Sequence, residues 1–413
     1  MVMIMKILDL YAREILDSRG NPTVETELVL DNGIKVVASV PSGASTGSRE
    51  ALELRDNDNS RYMGKGVLTA VKNVNTIIRD AIIGMELNQT KIDNKLLELD
   101  GTENKEKLGA NAILSVSLAC LKAQAALEGK ELFEYVTTGK VSMPIPMINI
   151  INGGAHAKNN LDIQEFMIIP VLSNMQKRVR AASEIFHHLQ KLLAKNNLST
   201  GVGDEGGFAP NLSKNTDAFD YIVKAIKKAG YNPGKDVFIG IDCAASEFYN
   251  KDNNTYSIDG NNLSVDELIK YYLEIVDKYP IISIEDPFNE DDFESLAKLT
   301  KLIGNNVMLV GDDYFVTNEK YLKKGIDMKA GNAILLKANQ IGTISEMIKT
   351  IVLAKKNNYK TVISHRSGET EDTFIADLAV GLNLGFIKTG SMCRGERISK
   401  YNRLLKIEDI ITK

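Results

Sequence analysis

The segment 281–312 reads IISIEDPFNEDDFESLAKLTKLIGNNVMLVGD and carries the pattern that decides the fold. A short apolar run ends in Glu285, a stretch of helix length follows, and a second apolar run ends in Asp312. This order is typical of a strand, a helix and a second strand parallel to the first. The carboxyl ends of two such strands lie at the same edge of a sheet. The segment therefore predicts one βα repeat with an acid at the end of each strand.

The same pattern continues on both sides of this segment. Apolar runs recur about every 25 to 45 residues, a spacing that fits a strand, a loop and a helix. Each run ends in an ionisable residue: Asp242, Glu285, Asp312, Lys337, His365 and Lys388. Strands repeated in this way close into a βα barrel, whose carboxyl ends converge on one mouth. The sequence thus predicts an α/β fold in which three carboxylates, two lysines and a histidine share one cleft.

The first part of the chain follows a different pattern. Strand-like spacing up to residue 40, with the hairpin signal Asn32-Gly33, predicts a small three-stranded antiparallel sheet. Three helical stretches follow, near 67–82, 88–99 and 107–129. Strands followed by helices favour an α+β domain. The proline-containing segment 136–147 interrupts both patterns. We therefore expect a smaller N-terminal α+β domain, 1–139, and a C-terminal βα barrel domain, 140–413.

Composition excludes several classes of protein. The 413 residues are 44% hydrophobic and 25% charged, which is typical of a globular protein with a large core. The net charge is −4, and basic residues do not cluster with aromatic ones, so no nucleic acid is expected as a partner. Only the first five residues are continuously apolar, too few for a signal peptide or a transmembrane segment. We expect a cytoplasmic protein; the sequence does not report on a surface or secreted pool.

Cysteine and histidine usage bears on the kind of metal. Cys120, Cys243 and Cys393 are widely separated and odd in number, so reduced thiols are expected rather than disulfides or a zinc site. The chain has only four histidines, two of them adjacent at 187–188. Oxygen ligands, by contrast, suit a hard cation. The predicted mouth therefore favours Mg²⁺.

The three strand-end acids have two possible roles. Asp242, Glu285 and Asp312 come from successive strands, so their carboxylates could bind one divalent cation and leave positions for water or substrate. Alternatively, each acid caps a helix or pairs with a surface base, which is about as common for a single acid after a strand. The joint occurrence of all three favours the metal site.

The two strand-end lysines are harder to assign. Lys337 ends the apolar run NAILLK, and apolar surroundings lower the pKa of a lysine toward the range of a general base. An ion pair with one of the acids is the alternative. Lys388 could be a second base or a fixed positive charge that holds an anionic substrate. The sequence alone does not separate these roles.

Two further motifs carry weaker signals. The tetrapeptide HRSG at 365–368 places a guanidinium beside a hydroxyl, which suits phosphate or carboxylate oxygens, although such a sequence is more often a surface turn. The glycine-rich stretches 42–47 and 203–207 would let the backbone approach a ligand, and neither matches a Walker or dinucleotide motif. Glu205, held between glycines, could act as a general acid.

Eight motifs, taken in chain order, resemble those of the enolase family. They are SRGNPTVE at 18–25, PSGASTG at 41–47, GDEGGFAPN at 203–211, IEDPF at 284–288, LLKANQIG at 335–342, SHRSGET at 364–370, IKTG at 387–390 and CRGER at 393–397. The resemblance covers essentially the whole chain. It implies an enolase-type barrel and the reversible, Mg²⁺-dependent dehydration of 2-phosphoglycerate to phosphoenolpyruvate and water, the phosphopyruvate hydratase step of glycolysis and gluconeogenesis.

The resemblance also implies a division of labour in catalysis. Lys337 is similar to the base that removes the carbon-2 proton, and Glu205 is similar to the acid that protonates the departing carbon-3 hydroxyl. Lys388 and a first Mg²⁺ would stabilise the enediolate formed from the substrate. The residues that resemble the ligands of this ion are Asp242, Glu285 and Asp312.

Further residues acquire roles from the same resemblance. Arg366 and Ser367 resemble the phosphate-binding pair, and Ser45 resembles a ligand of a second Mg²⁺ that arrives with substrate, making two ions per active site. The residues similar to those that contact substrate or close over it are His156, Gln164, Glu165 and His365. Enolases are commonly dimers and sometimes octamers, so a homo-oligomer is expected.

One departure and two alternative functions bear on this interpretation. Enolases usually read HAGN where this chain reads HAKN at 156–159, so Lys158 replaces a flexible glycine, and its effect on lid closure stays open. A sister enzyme, such as an acid-sugar dehydratase or racemase, would lack the HRSGET and SGASTG motifs together. A non-catalytic binding protein on this scaffold would be indicated by loss of a catalytic residue, yet Glu205, Lys337 and all three acids are present.

Overall fold

The alternating apolar residues near the N-terminus form the predicted antiparallel sheet. A computed structural model describes residues 5–43, 47–137, 139 and 141–413. The sheet has the order β1-β2-β3, with strands β1 (Ile7–Leu16), β2 (Pro22–Leu30) and β3 (Lys35–Ser39). The turn at Asn32-Gly33 joins β2 to β3, and Gly33 has a φ of +85°, which a residue without Cβ adopts at little cost.

The helices of this domain cover the three predicted stretches. They are α1 (Leu68–Asn73), α2 (Arg79–Ile82), α3 (Gln89–Asp100), α4 (Ala110–Leu127) and α5 (Leu132–Tyr135). A π-helical turn, Val74–Ile78, joins α1 to α2, so the predicted first helix is continuous but irregular. Helix α3 begins at an Asn88 cap and ends at Gly101, whose φ is +70°.

Helix α4 forms the centre of the N-terminal domain. By length and composition it could cross a membrane, since its 18 residues have a mean hydropathy of 1.4. However, 78% of this stretch is buried inside the protein, where it packs against β2 and β3. Its apolar composition is therefore explained by its position in the core of the domain.

The rest of the chain builds a barrel and a small separate sheet. Its strands are β4 (Ile145–Asn152), β5 (Glu165–Pro170), β6 (Val237–Asp242), β7 (Tyr249–Asn250), β8 (Thr255–Ile258), β9 (Asn261–Leu263), β10 (Ile281–Glu285), β11 (Met308–Gly311), β12 (Ala333–Leu336), β13 (Lys360–Ser364) and β14 (Phe386–Lys388). Strands β7, β8 and β9 form the separate sheet. The other eight close in the order β10-β11-β12-β13-β14-β4-β5-β6, which confirms the predicted α/β barrel.

Helices follow most barrel strands, as the repeat predicts. They are α6 (Met175–Lys195), α7 (Asn215–Lys228), α8 (Val265–Lys278), α9 (Phe293–Ile303), α10 (Glu319–Met328), α11 (Ala338–Ile341), α12 (Ile344–Lys356), α13 (Phe374–Gly381) and α14 (Gly395–Thr412). Helix α8 begins at Ser264, whose hydroxyl accepts a bond from the Glu267 N–H while the Glu267 carboxylate accepts one from the Ser264 N–H. This reciprocal cap satisfies two N–H groups that have no partner inside the helix.

The barrel differs from a simple βα repeat at β5. Strand β5 pairs antiparallel with both β4 and β6, whereas the other barrel pairs are parallel. No α-helix lies between β4 and β5, and a connection without a crossover produces an antiparallel pair. Reversal brings Glu165, the first residue of β5, opposite Asp242, the last residue of β6. Glu165 thereby reaches the barrel mouth.

The barrel interior is filled with apolar side chains. These residues form one buried cluster: Met147, Met167, Ile169, Met308, Val310, Ala333, Leu335 and Val362. Along β12 the alternation is visible, since Ala333 and Leu335 belong to this cluster while Ile334 and Leu336 belong to the larger core that includes the helices. A packed interior leaves the mouth as the place where polar groups can meet a ligand.

Candidate active site

The six strand-end residues lie where the sequence places them. Asp242, Glu285 and Lys388 are the last residues of β6, β10 and β14. The other three follow β11, β12 and β13 directly: Asp312, Lys337 and His365. Five of the six line one cleft, and Glu285 is fully buried against Lys388. The barrel mouth is therefore a cleft lined by ionisable side chains.

Lys388 lies among three carboxylates. Its Nζ is 3.0 Å from an Asp242 oxygen, 3.0 Å from both Glu285 oxygens and 3.1 Å from a Glu165 oxygen. Burial lowers the pKa of Lys388, but the surrounding carboxylates outweigh it and hold the pKa well above its usual range. A lysine that keeps its proton cannot act as a base. The geometry thus favours a fixed positive charge.

Lys337 forms an ion pair with Asp312. Both side chains are mostly buried, and Gln340 donates to the second Asp312 oxygen at 2.8 Å. The prediction that apolar surroundings leave Lys337 with a lowered pKa is wrong for this arrangement. Burial does lower the pKa of Lys337, but the Asp312 carboxylate outweighs burial, so the pKa is raised. Any group that draws Asp312 away would remove the interaction that raises the pKa of Lys337.

The contacts of the three acids bear on the second of their two possible roles, which is pairing with a base. The acids do pair with bases, but those bases are buried lysines of the same cleft rather than surface side chains. Asp242 and Glu285 meet at Lys388, and Asp312 meets Lys337. Neighbouring strands β6, β10 and β11 bring the three acids to one side of the mouth.

Glu205 is held by a loop that needs its glycines. A Cβ on Gly207 would lie 2.5 Å from the Asn152 side chain, and one on Gly206 would lie 2.8 Å from a backbone oxygen of Cys393. The loop is closed by a bond from the Gly203 N–H to the Gly207 carbonyl. Close approach of the backbone therefore places Glu205 at the mouth.

Glu205 belongs to a cluster of two carboxyl groups and two histidines. One of its oxygens lies 3.4 Å from His365 Nε2 and 3.7 Å from His156 Nδ1, while Asn149 donates to the other at 3.0 Å. Oxygens of Glu165 and Glu205 and a nitrogen of His156 all lie within 4.8 Å of one another. Two buried carboxyl groups this close share a proton rather than both ionise.

The surroundings shift the pKa values of Glu165 and Glu205 in opposite directions. Burial, and then the charge of Glu205, raises the pKa of Glu165 well above its usual range. Burial also raises the pKa of Glu205, but His365 and His156 outweigh it, and the pKa of Glu205 is lowered. Burial lowers the pKa of His365 to about 4, so this ring is neutral at physiological pH. In this pair the proton therefore lies on Glu165, and Glu205 is the carboxyl group that ionises more readily.

The anion-binding residues predicted from the HRSG motif also line the cleft. Arg366 is buried, and its guanidinium donates to Glu50 at 2.8 and 3.3 Å and to Asn339 at 3.2 Å. Ser367 is buried beside it at the cleft. Gln164 approaches Asp242, with 3.5 Å between Nε2 and Oδ2. Ser45 lies outside the described residues.

The acidic residues of the cleft outnumber its lysines and arginine, and such an excess of carboxylates favours the binding of a cation. Eight acidic residues line it against Lys337, Arg366 and Lys388. Burial raises the pKa of Asp286 well above its usual range, and burial followed by the Asp312 charge raises the pKa of Asp313 to about 8. Carboxylate oxygens of Asp286, Asp312 and Asp313 lie within 4.8 Å of one another, and such an all-oxygen group fits a hard divalent cation such as Mg²⁺.

Several buried polar atoms of the cleft have no hydrogen-bond partner among the described residues. They are His156 Nδ1, Gln164 Oε1, Glu165 Oε2 and His365 Nε2. Buried polar atoms are normally satisfied, so a group of them facing one cleft indicates a polar ligand. All four residues are among those that the sequence assigns to substrate.

Sequence reasoning missed several residues of the mouth. Asp286 and Asp313 directly follow strand-end acids, so the doublets Glu-Asp and Asp-Asp were a readable signal. Glu50, the partner of Arg366, lies just after the first glycine-rich stretch. Asn149 shows no local signal, because it reaches the site only through tertiary contacts, whereas Arg397 ends the CRGER motif, for which no role was predicted from the sequence.

Fold and cleft together define a class: a two-domain α/β-barrel enzyme whose acids and lysines meet at the barrel mouth. Residues 7–136 match the family model described as "Enolase, N-terminal domain", and residues 140–413 match "Enolase, C-terminal TIM barrel domain". The chain belongs to the enolase family. It is therefore an enzyme of the enolase superfamily with a lyase-type function.

Proposed function

We propose that this protein catalyses the reversible, Mg²⁺-dependent dehydration of 2-phosphoglycerate to phosphoenolpyruvate and water, the phosphopyruvate hydratase reaction of glycolysis and gluconeogenesis. One observation supports this most: a single cleft holds a lysine, a proton-sharing acid pair, a fixed ammonium and an arginine with a serine. Dehydration of a phosphorylated hydroxy acid needs a base, an acid and two anion-binding sites, and these groups match that demand.

Lys337 acts as the base in this proposal. Removal of the carbon-2 proton needs a neutral amine, and the Asp312 ion pair opposes that state. Arg366 and Lys388 lie near enough to lower the pKa of Lys337 once Asp312 engages a cation. Lys337 thus becomes a base only when a cation engages Asp312.

Glu205 acts as the acid at carbon 3. The electron pair left at carbon 2 forms the new double bond, the carbon–oxygen bond at carbon 3 breaks, and the departing hydroxyl takes a proton to become water. Glu165, which holds the proton of the pair, supplies it to Glu205. His156, Gln164 and His365 offer the unpartnered polar atoms that orient the substrate.

The anionic groups of the substrate have separate partners. Arg366 and Ser367 bind the phosphate, since a guanidinium fork and a hydroxyl match its oxygens. Lys388 faces the substrate carboxylate as a permanent positive charge. Exclusion of water by the segment around His156 would strengthen both interactions.

Asp242, Glu285 and Asp312 would hold a first Mg²⁺, and Ser45 would help to hold a second that arrives with substrate. Bound Mg²⁺ would neutralise negative charge that develops on the substrate carboxylate. The cleft itself carries an excess of acids, so an anionic substrate enters it favourably only with such a cation.

The direct test is an absorbance assay of phosphoenolpyruvate formation from 2-phosphoglycerate. We expect activity with Mg²⁺, loss of it in excess chelator, and recovery when Mg²⁺ is restored. An acid sugar or another hydroxy acid is the control substrate. Turnover of that control without turnover of 2-phosphoglycerate, or full activity in chelator, would overturn the proposal.

We also propose that the protein is a homo-oligomer. One face of the N-terminal sheet exposes apolar side chains, with Leu8 and Tyr11 of β1 more than half exposed and Val37 of β3 at 38%. On this face Tyr11 lies across from Glu27, which in turn lies across from Val37. An apolar patch rimmed by charges suits a second copy of the chain. Light scattering measures the resulting mass.

A further inference from the structure

Arg397, on the first turn of α14, is completely buried and joins two segments of the site. Its Nη1 lies 2.6 Å from His365 Nδ1 and donates to the Arg366 carbonyl at 2.6 Å. Its Nη2 donates to the Ser367 carbonyl at 2.7 Å and to the Asp204 carbonyl at 3.2 Å. One guanidinium thus ties the loop of the acid to the loop that binds the substrate phosphate.

This contact determines which nitrogen of His365 carries a proton. A guanidinium can only donate, so His365 Nδ1 must accept. A neutral imidazole has one N–H, which then belongs to Nε2. That nitrogen lies 3.4 Å from Glu205 Oε1. The opposite tautomer would direct a lone pair at the carboxyl oxygen of Glu205 and remove a donor.

Glu205 consequently has an N–H near each of its two carboxyl oxygens. Asn149 donates to Oε2 at 3.0 Å, and His365 Nε2, which carries the N–H in this tautomer, lies 3.4 Å from Oε1, a close approach that is longer than a hydrogen bond in this geometry. Burial lowers the pKa of His365 to about 4, so the neutral ring presents this single N–H toward Glu205. Donors on a carboxylate favour its ionised form, which makes the protonated form a stronger acid.

We propose that Arg397 is a positioning residue for the carbon-3 step: it sets the His365 tautomer and holds the Glu205 loop against the 365–367 segment. The inference rests on the proposed function, because it assumes that Glu205 protonates the leaving hydroxyl. Arg397 itself lies behind His365 and does not line the cleft. Its loss should therefore impair the acid step and spare the Lys337 step.

Lys400, three residues further along α14, provides a matched control. It is also fully buried, and its Nζ donates to Glu369 at 2.9 Å and to the Thr370 carbonyl at 2.6 Å. Glu369 in turn accepts from the Arg366 N–H at 3.1 Å. Lys400 thus supports the same loop, yet it forms no described bond to His365 or to residue 204.

The experiment compares R397K and R397Q with K400M in Mg²⁺-loaded enzyme. Nitrogen-15 NMR of histidine-labelled protein reports the His365 tautomer, and the chain has only four histidines, so an H365N spectrum assigns the signal. Wild type should show Nε2–H and an accepting Nδ1. R397Q, whose amide can donate or accept, should show mixed or reversed tautomers, whereas K400M should retain the wild-type pattern even if its melting temperature falls.

Kinetics supply a second readout. In R397K and R397Q, kcat for dehydration should fall at least about tenfold, with exchange of the carbon-2 proton changed less than about twofold. K400M should keep the wild-type ratio of exchange to dehydration. An unchanged ratio in R397Q, or an Nδ1–H tautomer in the wild-type enzyme, would overturn the inference. The second result needs no variant to fold, and it is independent of whether 2-phosphoglycerate is the substrate.

Discussion

Two lysines of one cleft differ in their electrostatic surroundings because their neighbours differ. Lys388 contacts three carboxylates and remains charged, whereas Lys337 contacts one carboxylate, which a cation can engage. The free energy of burying an ammonium is offset only by close opposite charges, so the number of partners decides whether deprotonation is accessible. Different neighbours likewise give Glu165 a raised pKa and Glu205 a lowered one.

Substitution of Glu205 should separate the two chemical steps. Glu205→Gln removes the transferable proton but keeps the shape of the side chain, so dehydration should fall by about 10²–10⁴-fold while carbon-2 exchange continues. Lys337→Ala should abolish both. Exchange is followed by NMR in deuterated solvent, and dehydration by absorbance.

Glu247→Gln, another acid that lines the cleft, serves as the control and should retain near wild-type rates. Loss of exchange in Glu205→Gln would contradict the division of labour. Full activity in Lys337→Ala would remove Lys337 as the base.

At the scale of elements, the reversed strand β5 and the filled barrel set the geometry of the mouth. Reversal places Glu165 beside Asp242, so an acid that begins a strand joins acids that end strands. The apolar cluster beneath keeps the eight strands in register, and packed interiors transmit small displacements to the groups above them. Catalytic distances therefore depend on barrel packing.

A cavity inside the barrel should destabilise the protein. Leu335 is fully buried in the interior cluster, so Leu335→Ala should cost about 2–5 kcal/mol through lost burial and an unfilled cavity. Leu302→Ala is the matched control, because Leu302 is 54% exposed on α9 and should change stability by less than about 0.5 kcal/mol. Thermal midpoints compare the two, and equal midpoints would contradict the packing argument.

For the whole molecule, the excess of buried acids makes folding and cation binding interdependent. Carboxyl groups with raised pKa values keep their protons in the folded state at a pH where the unfolded chain has lost them. Over that interval the free energy of unfolding falls as pH rises. A cation that binds the ionised groups reverses this loss.

Stability in chelator should therefore fall between pH 6.5 and pH 8. Asp313 has a pKa of about 8 in the folded state against 3.8 ordinarily, so it contributes across this interval. His365 acts oppositely, but only below its ordinary value of 6.5. We expect the thermal midpoint to drop by about 2–4 °C.

Two comparisons sharpen this pH experiment. Added Mg²⁺ should raise the midpoint more at pH 8 than at pH 6.5, and Asp313→Asn should flatten the dependence in chelator. A midpoint that rises with pH in chelator would contradict the assignment of buried, protonated acids.

By itself the sequence determined the barrel and the identity of most residues at its mouth. Runs of apolar residues and the ionisable residue after each one are local features, and a strand's last residue must lie at its carboxyl edge whatever the rest of the chain does. The six strand-end residues could be predicted for that reason. The roles of Glu205 and of the HRSG segment came from the family resemblance.

Only the tertiary structure decided which of these groups touch. Arg397 and the Asp204 carbonyl are separated by 193 positions, and the Lys388 and Asp242 side chains by 146, so no local pattern reports their contact. The direction of β5 and the raised pKa of Lys337 also depend on tertiary contacts that no local pattern reports. Charges act through space at a few ångströms, and the folded chain alone sets those distances.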